Sequence, residues 1–303
     1  MRIATWNVNS LRARIDRVVA FLQRTDIDVL AIQETKATDA KFPVQPFTDA
    51  GYQVARHGIS QWNGVAIVSR VGLTDVTIGL PGGPGYGEPP VQEARAIGAR
   101  CAGVETWSLY IPNGREIGHA HYDYKLQWLA ALRGLGAARL ADDPHALMVL
   151  GGDFNVAPQD DDVWDMAAFD GLTHVTPAER AAFAAVVNAG FADLVRPHAP
   201  GPGVYTFWDY QQLRFPKKEG MRIDFLLGSP AVQAVTTGAF IDREERKGKG
   251  ASDHAPVVVD IDRETATVDI AGSAPVVEAG RHDDSGTGTD ISDTSTEGDA
   301  QLW

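Results

Sequence analysis

LMVLGGDFNVAP, residues 147–158, is the stretch on which the reading of this chain turns. An unbroken apolar run, Leu147 to Leu150, enters Gly151-Gly152 and then releases Asp153 and Asn155. A short apolar run bounded by glycines is the pattern of a strand buried on both faces. The glycines are expected to let the chain bend sharply as it leaves the sheet. Ligands of open α/β sheets collect at strand ends. Asp153 and Asn155, two positions apart on that exit, can address one small volume. The carboxylate can take a proton from water or hold a metal, and the amide can donate to an oxyanion. Asp and Asn are also common turn formers, so by itself the stretch leaves a plain turn and a catalytic strand end evenly matched.

The flanking chain repeats the pattern. Residues 2–7 read as a strand ending on Asn7, and residues 28–32 as a buried strand running into Gln33-Glu34-Thr35. Two strands delivering Asn7 and Glu34 at their ends look like the floor of a site. Between them Leu11, Ile15, Val18, Val19 and Leu22 recur at helical spacing, with Asn9 or Ser10 as the expected cap. A short helix follows Pro43 and closes at Gly51, before strands over 52–56 and 64–69 and a weaker one over 76–80. Residues 81–90 (PGGPGYGEPP) form a loop; no Gly-Lys-Ser/Thr follows to make it a phosphate loop. Residues 96–102 and 105–111 read as paired strands. The longest helical pattern spans 122–140, with Lys125 and Arg133 off its apolar stripe and therefore expected on the solvated face. Asp160–Asp162 reads as a solvated acidic loop, and Thr176-Pro177-Ala178-Glu179 as a capping box opening a helix that stops by Gly190. Strands are expected over 204–209, over 222–227 with Asp224 among apolar neighbours, and over 257–261. A charge placed like Asp224 is costly unless paired; Arg222 is one possible partner and a site histidine another.

Length and composition set the frame. With 303 residues, 44% of them hydrophobic, the chain can bury one large core or two small ones. Beyond Arg263 it turns Ser/Thr/Gly/Asp-rich, which reads as a disordered tail over 264–303 following a catalytic domain over 1–263. That tail holds nine acidic residues against Arg281, a net −8, which leaves −5 of the total −13 on residues 1–263. Such a balance disfavours a passive DNA coat but not a metal-dependent enzyme. No apolar run approaches bilayer length and no secretion signal opens the chain. With Cys101 as the one cysteine, no internal disulfide is possible, and the cytoplasm is the expected location.

The chemistry-bearing candidates are Asn7, Glu34, Tyr110, Asp153, Asn155, Asp224, Asp253 and His254, each at a strand end or within a strand. Taken singly, each has an ordinary structural explanation: a capping histidine, a strand tyrosine, a structural ion pair. Taken together they would require many unrelated polar accidents. Glu34, Asp253 and Asn7 offer the hard oxygen donors that Mg²⁺ or Mn²⁺ prefers, and no Cys/His cluster with zinc spacing is present. An imidazole held by a carboxylate, as His254 would be beside Asp253 or Asp224, favours its charged form. With no GxSxG elbow, metal-assisted attack of water on a phosphate ester fits best, with Asp153 as base and the metal, Asn155 and His254 stabilising the added charge.

The motifs TWNVNSLRAR (5–14), AIQETK (31–36), GVAI (64–67), YIPNG (110–114), GDFNVAP (152–158), YTFWDY (205–210), RIDFLL (222–227) and SDHAPV (252–257) together resemble the exonuclease III family. These are the Mg²⁺-dependent apurinic/apyrimidinic (AP) endonucleases of base-excision repair, and the likeness spans about residues 1–262. The resemblance implies a DNase I-like four-layer α/β sandwich, two packed mixed β-sheets flanked by helices, with the site at one end. It implies Glu34 as principal metal ligand with Asn7 and Asp253 close to the ion, and Asp153, Asn155 and His254 within reach of it. Asp153 would activate water, Asn155 orient it or bind phosphate, and His254, held by Asp224, contact the scissile phosphate together with Tyr110. Phe207, Trp208 and Ile223 fall where the family lines the pocket for the base-less sugar, and Met221 stands where some relatives carry tryptophan. Arg12, Arg14, Asn113, Arg115 and Lys247 or Lys249 would contact the DNA backbone. The implied activity is Mg²⁺- or Mn²⁺-dependent incision of duplex DNA 5′ to abasic sites with removal of nucleotides or blocking groups from 3′ ends, by a monomer acting on DNA and not on a membrane. The alternatives are a phosphatase or phosphodiesterase of the same scaffold acting on inositol phosphates or phospholipid head groups, and a non-catalytic DNA-binding protein.

Overall fold

The computed structural model describes residues 1–262; the expected tail, 264–303, lies outside the described residues. The strands are β1 Arg2–Asn7, β2 Val29–Gln33, β3 Gln53–His57, β4 Val65–Ser69, β5 Thr74–Ile78, β6 Ala96–Cys101, β7 Val104–Tyr110, β8 Met148–Asp153, β9 Ala192–Asp193, β10 Asp224–Gly228, β11 Thr236–Ile241 and β12 Val257–Ile261. The α-helices are α1 Leu11–Thr25, α2 Gln45–Asp49, α3 Ala120–Asp142, α4 Pro177–Val187, α5 Arg214–Lys217 and α6 Pro230–Val235. The strands form two six-stranded sheets, ordered β11-β12-β1-β2-β4-β3 and β5-β6-β7-β8-β10-β9. Both are mixed: β1/β2 and β7/β8 are parallel, and the other pairs antiparallel.

Strand alternation produces the layers. On β1, Ile3 faces the other sheet and packs with Val29, Val149, Leu226 and Val259, while Ala4 and Trp6 face outward onto Val18, Phe21 and Leu22 of α1. On the far side Trp107, Leu109, Leu150 and Phe225 pack under Trp128, Leu129 and Leu132 of α3 and Phe183 of α4. The result is the four-layer sandwich, helix–sheet–sheet–helix. Toward one end the layer between the sheets turns polar: Thr5 donates to Gln33 at 3.2 Å, and Gln33 donates to Ser108 at 2.9 Å. That thread leads to the strand ends bearing Asn7, Tyr110, Asp153 and Asp224.

Several expectations are corrected. Gly151 and Gly152 do not bend the chain. They lie within β8, where a Cβ on Gly152 would sit 1.9 Å from the Leu109 carbonyl oxygen; they permit close packing, and the left-handed turn comes at Asn155 (φ 51°). Neither Asn9 nor Ser10 caps α1 with its side chain, because Asn9 is engaged with Asp253 and Lys36. Residues 204–209 form no ladder strand; Phe207 makes isolated bridges to Met221 and His254. Asp162 is not solvated: fully buried, it accepts from Arg222 (2.6 Å) and from Arg196. Lys125, expected on the solvated face, is fully buried against Glu179. The Thr176–Glu179 capping box forms as read. Among the described residues no helix is long and apolar enough to cross a membrane.

Candidate active site

Register places the site. Tyr110, Asp153 and Asp224 are neighbours on β7, β8 and β10, one row across the second sheet. From the first sheet, the parallel ends of β1 and β2 bring Asn7 beside Gln33, and Glu34 follows. Asn7 ties the two sheets together: its amide donates to Glu34 at 2.9 Å and to Asp153 Oδ2 at 3.0 Å. Asp253 joins through Asn9, which donates to it at 3.2 Å.

His254 enters on the segment before β12, with its carbonyl accepting from the Trp6 indole at 3.1 Å. Its Nδ1 lies 2.8 Å from Asp224 Oδ2, and its Nε2 lies 3.8 Å from Asp153 Oδ2. Asp224 therefore pairs with His254, while Arg222 pairs with Asp162 and Asp193. Burial disfavours the imidazolium, but Asp224, reinforced by Asp153, outweighs it and pushes the His254 pKa up to about 10. Burial pushes Asp153 up to about 7, with His254 opposing. Burial likewise works against the Glu34 charge, but the Lys36 ammonium at 2.9 Å and the Asn7 amide hold its pKa below the usual range. Burial, with Glu34 near, raises the Tyr110 phenol well above its ordinary value, so it remains a donor. The Arg95 guanidinium lies 4.8 Å from the centre of its ring.

The donors suit a hard cation. Glu34 and Asp153 bring carboxylate oxygens to either side of the Asn7 amide nitrogen, whose two N–H groups hold them there. Asp153, Asp224 and His254 also converge closely enough to hold a metal ion, and the same three side chains form an ion-pair triad centred on His254. Asn155 is already fixed as well: its Nδ2 donates to the Ile111 carbonyl at 3.0 Å, and its Oδ1 faces Asn113 at 3.3 Å and His174 at 3.2 Å.

His174 is the site residue that sequence reasoning missed. It sits in the left-handed region (φ 80°), an uncommon conformation that persists only where its surroundings enforce it. Burial, with Lys125 nearby, lowers its pKa to about 3, so it is neutral. Protonation on Nε2 lets it donate to Asn155 Oδ1. No motif signals it.

Of the expected DNA contacts, Arg12, Asn113 and Arg115 are exposed, as are Lys247 and Lys249. Arg14 is instead bound to Asn9, Tyr210 and Ala251. Phe207 lies against the His254 ring, 4.9 Å between centroids. Met221 and Ile223 pack beside it with Val163 and Val175. Trp208 is 1% exposed and meets Tyr205 and Phe215 edge to face, behind the wall rather than on it.

Comparison with known proteins agrees with this geometry. The signature of the Endonuclease/Exonuclease/phosphatase family matches residues 4–254. An exodeoxyribonuclease of Bacillus subtilis is 30% identical over 262 residues, covering 85% of this chain and 98% of that protein. A 3′ phosphatase from Neisseria, solved bound to a product DNA hairpin, superposes with TM-score 0.81 at 36% identity, over 86% of this chain and 99% of that one. An AP endonuclease from Archaeoglobus fulgidus gives TM-score 0.80 at 34% identity, over 86% and 99%.

Proposed function

This chain belongs to the endonuclease/exonuclease/phosphatase family, on its exonuclease III branch, and we propose that it is a Mg²⁺-dependent DNA repair nuclease acting as a monomer on duplex DNA. It cuts 5′ to abasic sites and clears nucleotides or phosphates from 3′ ends. The carrying observation is the juxtaposition, within one buried volume, of Asp153, held by the Asn7 amide, and His254, whose Nδ1 is fixed by Asp224 at 2.8 Å and whose Nε2 lies 3.8 Å from Asp153. One can accept a proton from water while the other donates to the phosphate.

Glu34 and Asp153, positioned by the Asn7 amide, with Asp253 beyond Asn9, would hold the divalent ion. Bound there, the ion supplies Lewis-acid stabilisation of the phosphate oxygens and of the leaving oxygen. The chain's own residues supply the rest. Asp153 takes the proton of the attacking water. His254 Nε2–H and the Tyr110 phenol donate to non-bridging oxygens as charge builds on them. Asn155, with its amide direction fixed by Ile111, Asn113 and His174, has one N–H left for the same purpose. Phe207, Met221 and Ile223 form an apolar flank that accepts a deoxyribose without its base.

The test uses a labelled duplex with one abasic-site analogue, an intact duplex with a recessed 3′ end, and a 3′-phosphate end, each with Mg²⁺, Mn²⁺ or EDTA. Metal-dependent incision immediately 5′ of the abasic site and 3′-end processing are expected. Asp153→Asn should lose cleavage by at least about 10³-fold while still binding DNA. Absence of cleavage of all three substrates with either metal overturns the reading.

A further inference from the structure

Behind the catalytic face lies a charge pair that the mechanism above does not use. Lys125 on α3 and Glu179 on α4 are both fully buried and form an ion pair at 2.5 Å. Charges at that depth persist only when their remaining hydrogen-bonding capacity is met, and here it is met by the turns of the site. The Lys125 ammonium donates to the backbone carbonyls of Asn155 (2.6 Å) and Asn113 (3.1 Å). Glu179 accepts from the backbone N–H of His174 at 2.9 Å and from the Thr173 hydroxyl. One ion pair thus fastens the turns that follow β7 and β8 and the segment that leads into α4.

Those turns carry Asn113, Asn155 and His174, and the side chains of Asn113 and His174 both donate to Asn155 Oδ1. Asn155 and His174 both hold left-handed backbone, φ 51° and 80°, which the surroundings must enforce. Asn155 is also linked forward: its N–H donates to Asp153 Oδ1 at 2.9 Å. Movement of the Asn155 turn therefore moves the base as well as the amide.

We propose that the Lys125–Glu179 pair is the positioning device of this face of the site. It sets the direction of the Asn155 amide and the placement of Asp153 against the attacked phosphate. This rests on the nuclease reading. An apolar pair in the same space restores packing but leaves the Asn155 and Asn113 carbonyls without their common donor and α4 without its capping glutamate, so the position of the Asn155 amide is read directly alongside rate and melting.

The experiment compares wild type, Lys125→Arg, Glu179→Gln and the double variant Lys125→Met/Glu179→Met, reading kcat, KM, melting temperature and the assigned side-chain amide resonances of Asn155. The double variant should melt several degrees below wild type, because it orphans buried backbone groups and the α4 cap, yet stay folded at the assay temperature and lose kcat on the order of 10²-fold, the scale of an ångström-level misplacement, with KM little changed. Glu179→Gln keeps the shape and removes the charge, and should lose about tenfold in kcat; Lys125→Arg, which keeps the donor, should recover most of the rate. The Asn155 amide resonances should shift in the double variant and stay in place in Lys125→Arg. Wild-type kcat with unshifted resonances, in either the double variant or Glu179→Gln, overturns the proposal. Shifted resonances in a protein whose wild type cleaves no DNA overturn the nuclease reading and leave the positioning role standing.

Discussion

Asp153 and Asp224 face each other in register on β8 and β10 and share one cation, His254, which sits 2.8 Å from Asp224 and 3.8 Å from Asp153. The consequence is a pH prediction. The His254 pKa is raised from 6.5 to about 10, so its charge is complete below the ordinary histidine range and is lost as pH rises through about 10. Replacing Asp224 by Asn removes the largest raising influence, and burial then acts unopposed by it in the lowering direction. The alkaline limb of the kcat/KM profile of Asp224→Asn should move down by at least about two pH units, toward neutrality, a shift too large to come from solvent exposure alone. A profile identical to wild type would remove His254 as the proton donor to phosphate. The motif-borne residues could be read in advance because each type announces its chemistry at a strand end. His174 could not, since a single histidine before Val175-Thr176 has no pattern, and only its φ of 80° and its bond to Asn155 reveal it. Lys125 was misread for a related reason: a cation on a helix is ordinarily solvated, and its partner Glu179 lies on another element.

At the scale of elements, the strands that could be read were those packed between sheet and helix. Residues 147–150 are an unbroken apolar run and residues 3–6 are apolar but for Thr5, and the observed β8 and β1 match the expected strands within a residue or two. The edges were harder. The second sheet ends on β9, two residues long and partly exposed, and the first on β11, where only Phe240 and Ile241 are large and apolar; neither run is long enough to show a period. In the acidic loop Asp160 and Asp161 are exposed as expected, and only Asp162 departs from the reading, because its burial depends on Arg222, sixty positions away in sequence, and on Arg196. Asp162 therefore acts as a tie between the loop and the entry to β10. Arg222 also reaches Asp193 on β9 and stacks 4.5 Å from the Phe225 ring centre. Asp162→Ala leaves two guanidinium groups without their shared acceptor and should cost about 3–5 kcal/mol, or roughly 10 °C in melting temperature for a domain of this size. Calorimetry or thermal denaturation followed by circular dichroism would measure it; a change under about 2 °C would show that water replaces the carboxylate at little cost.

Across the whole molecule, sheet packing and charge have separate tasks. The apolar layer between the sheets holds them in fixed relation and gives way to the Thr5–Gln33–Ser108 thread near the site, so residues from both sheets meet at one end. Charge then governs the approach of DNA. The site itself is rich in carboxylates, and attraction for phosphates must come from the divalent ion and from exposed cations such as Arg12 and Arg115. Against this the last forty residues carry a net −8 of the total −13. Removing residues 264–303 lessens the long-range repulsion of a polyanion, which is felt mainly in the association rate. The shortened chain should bind duplex DNA about three- to tenfold more tightly at 50 mM salt, chiefly through faster association. The difference should fade above about 300 mM, where the Debye length falls below 6 Å. Kd and association rate across a salt series measure this directly. A gap that persists at high salt would mean that the acidic segment acts through contact rather than through its field, and equal affinities at every salt would mean that its charge never comes within a Debye length of the path that DNA takes.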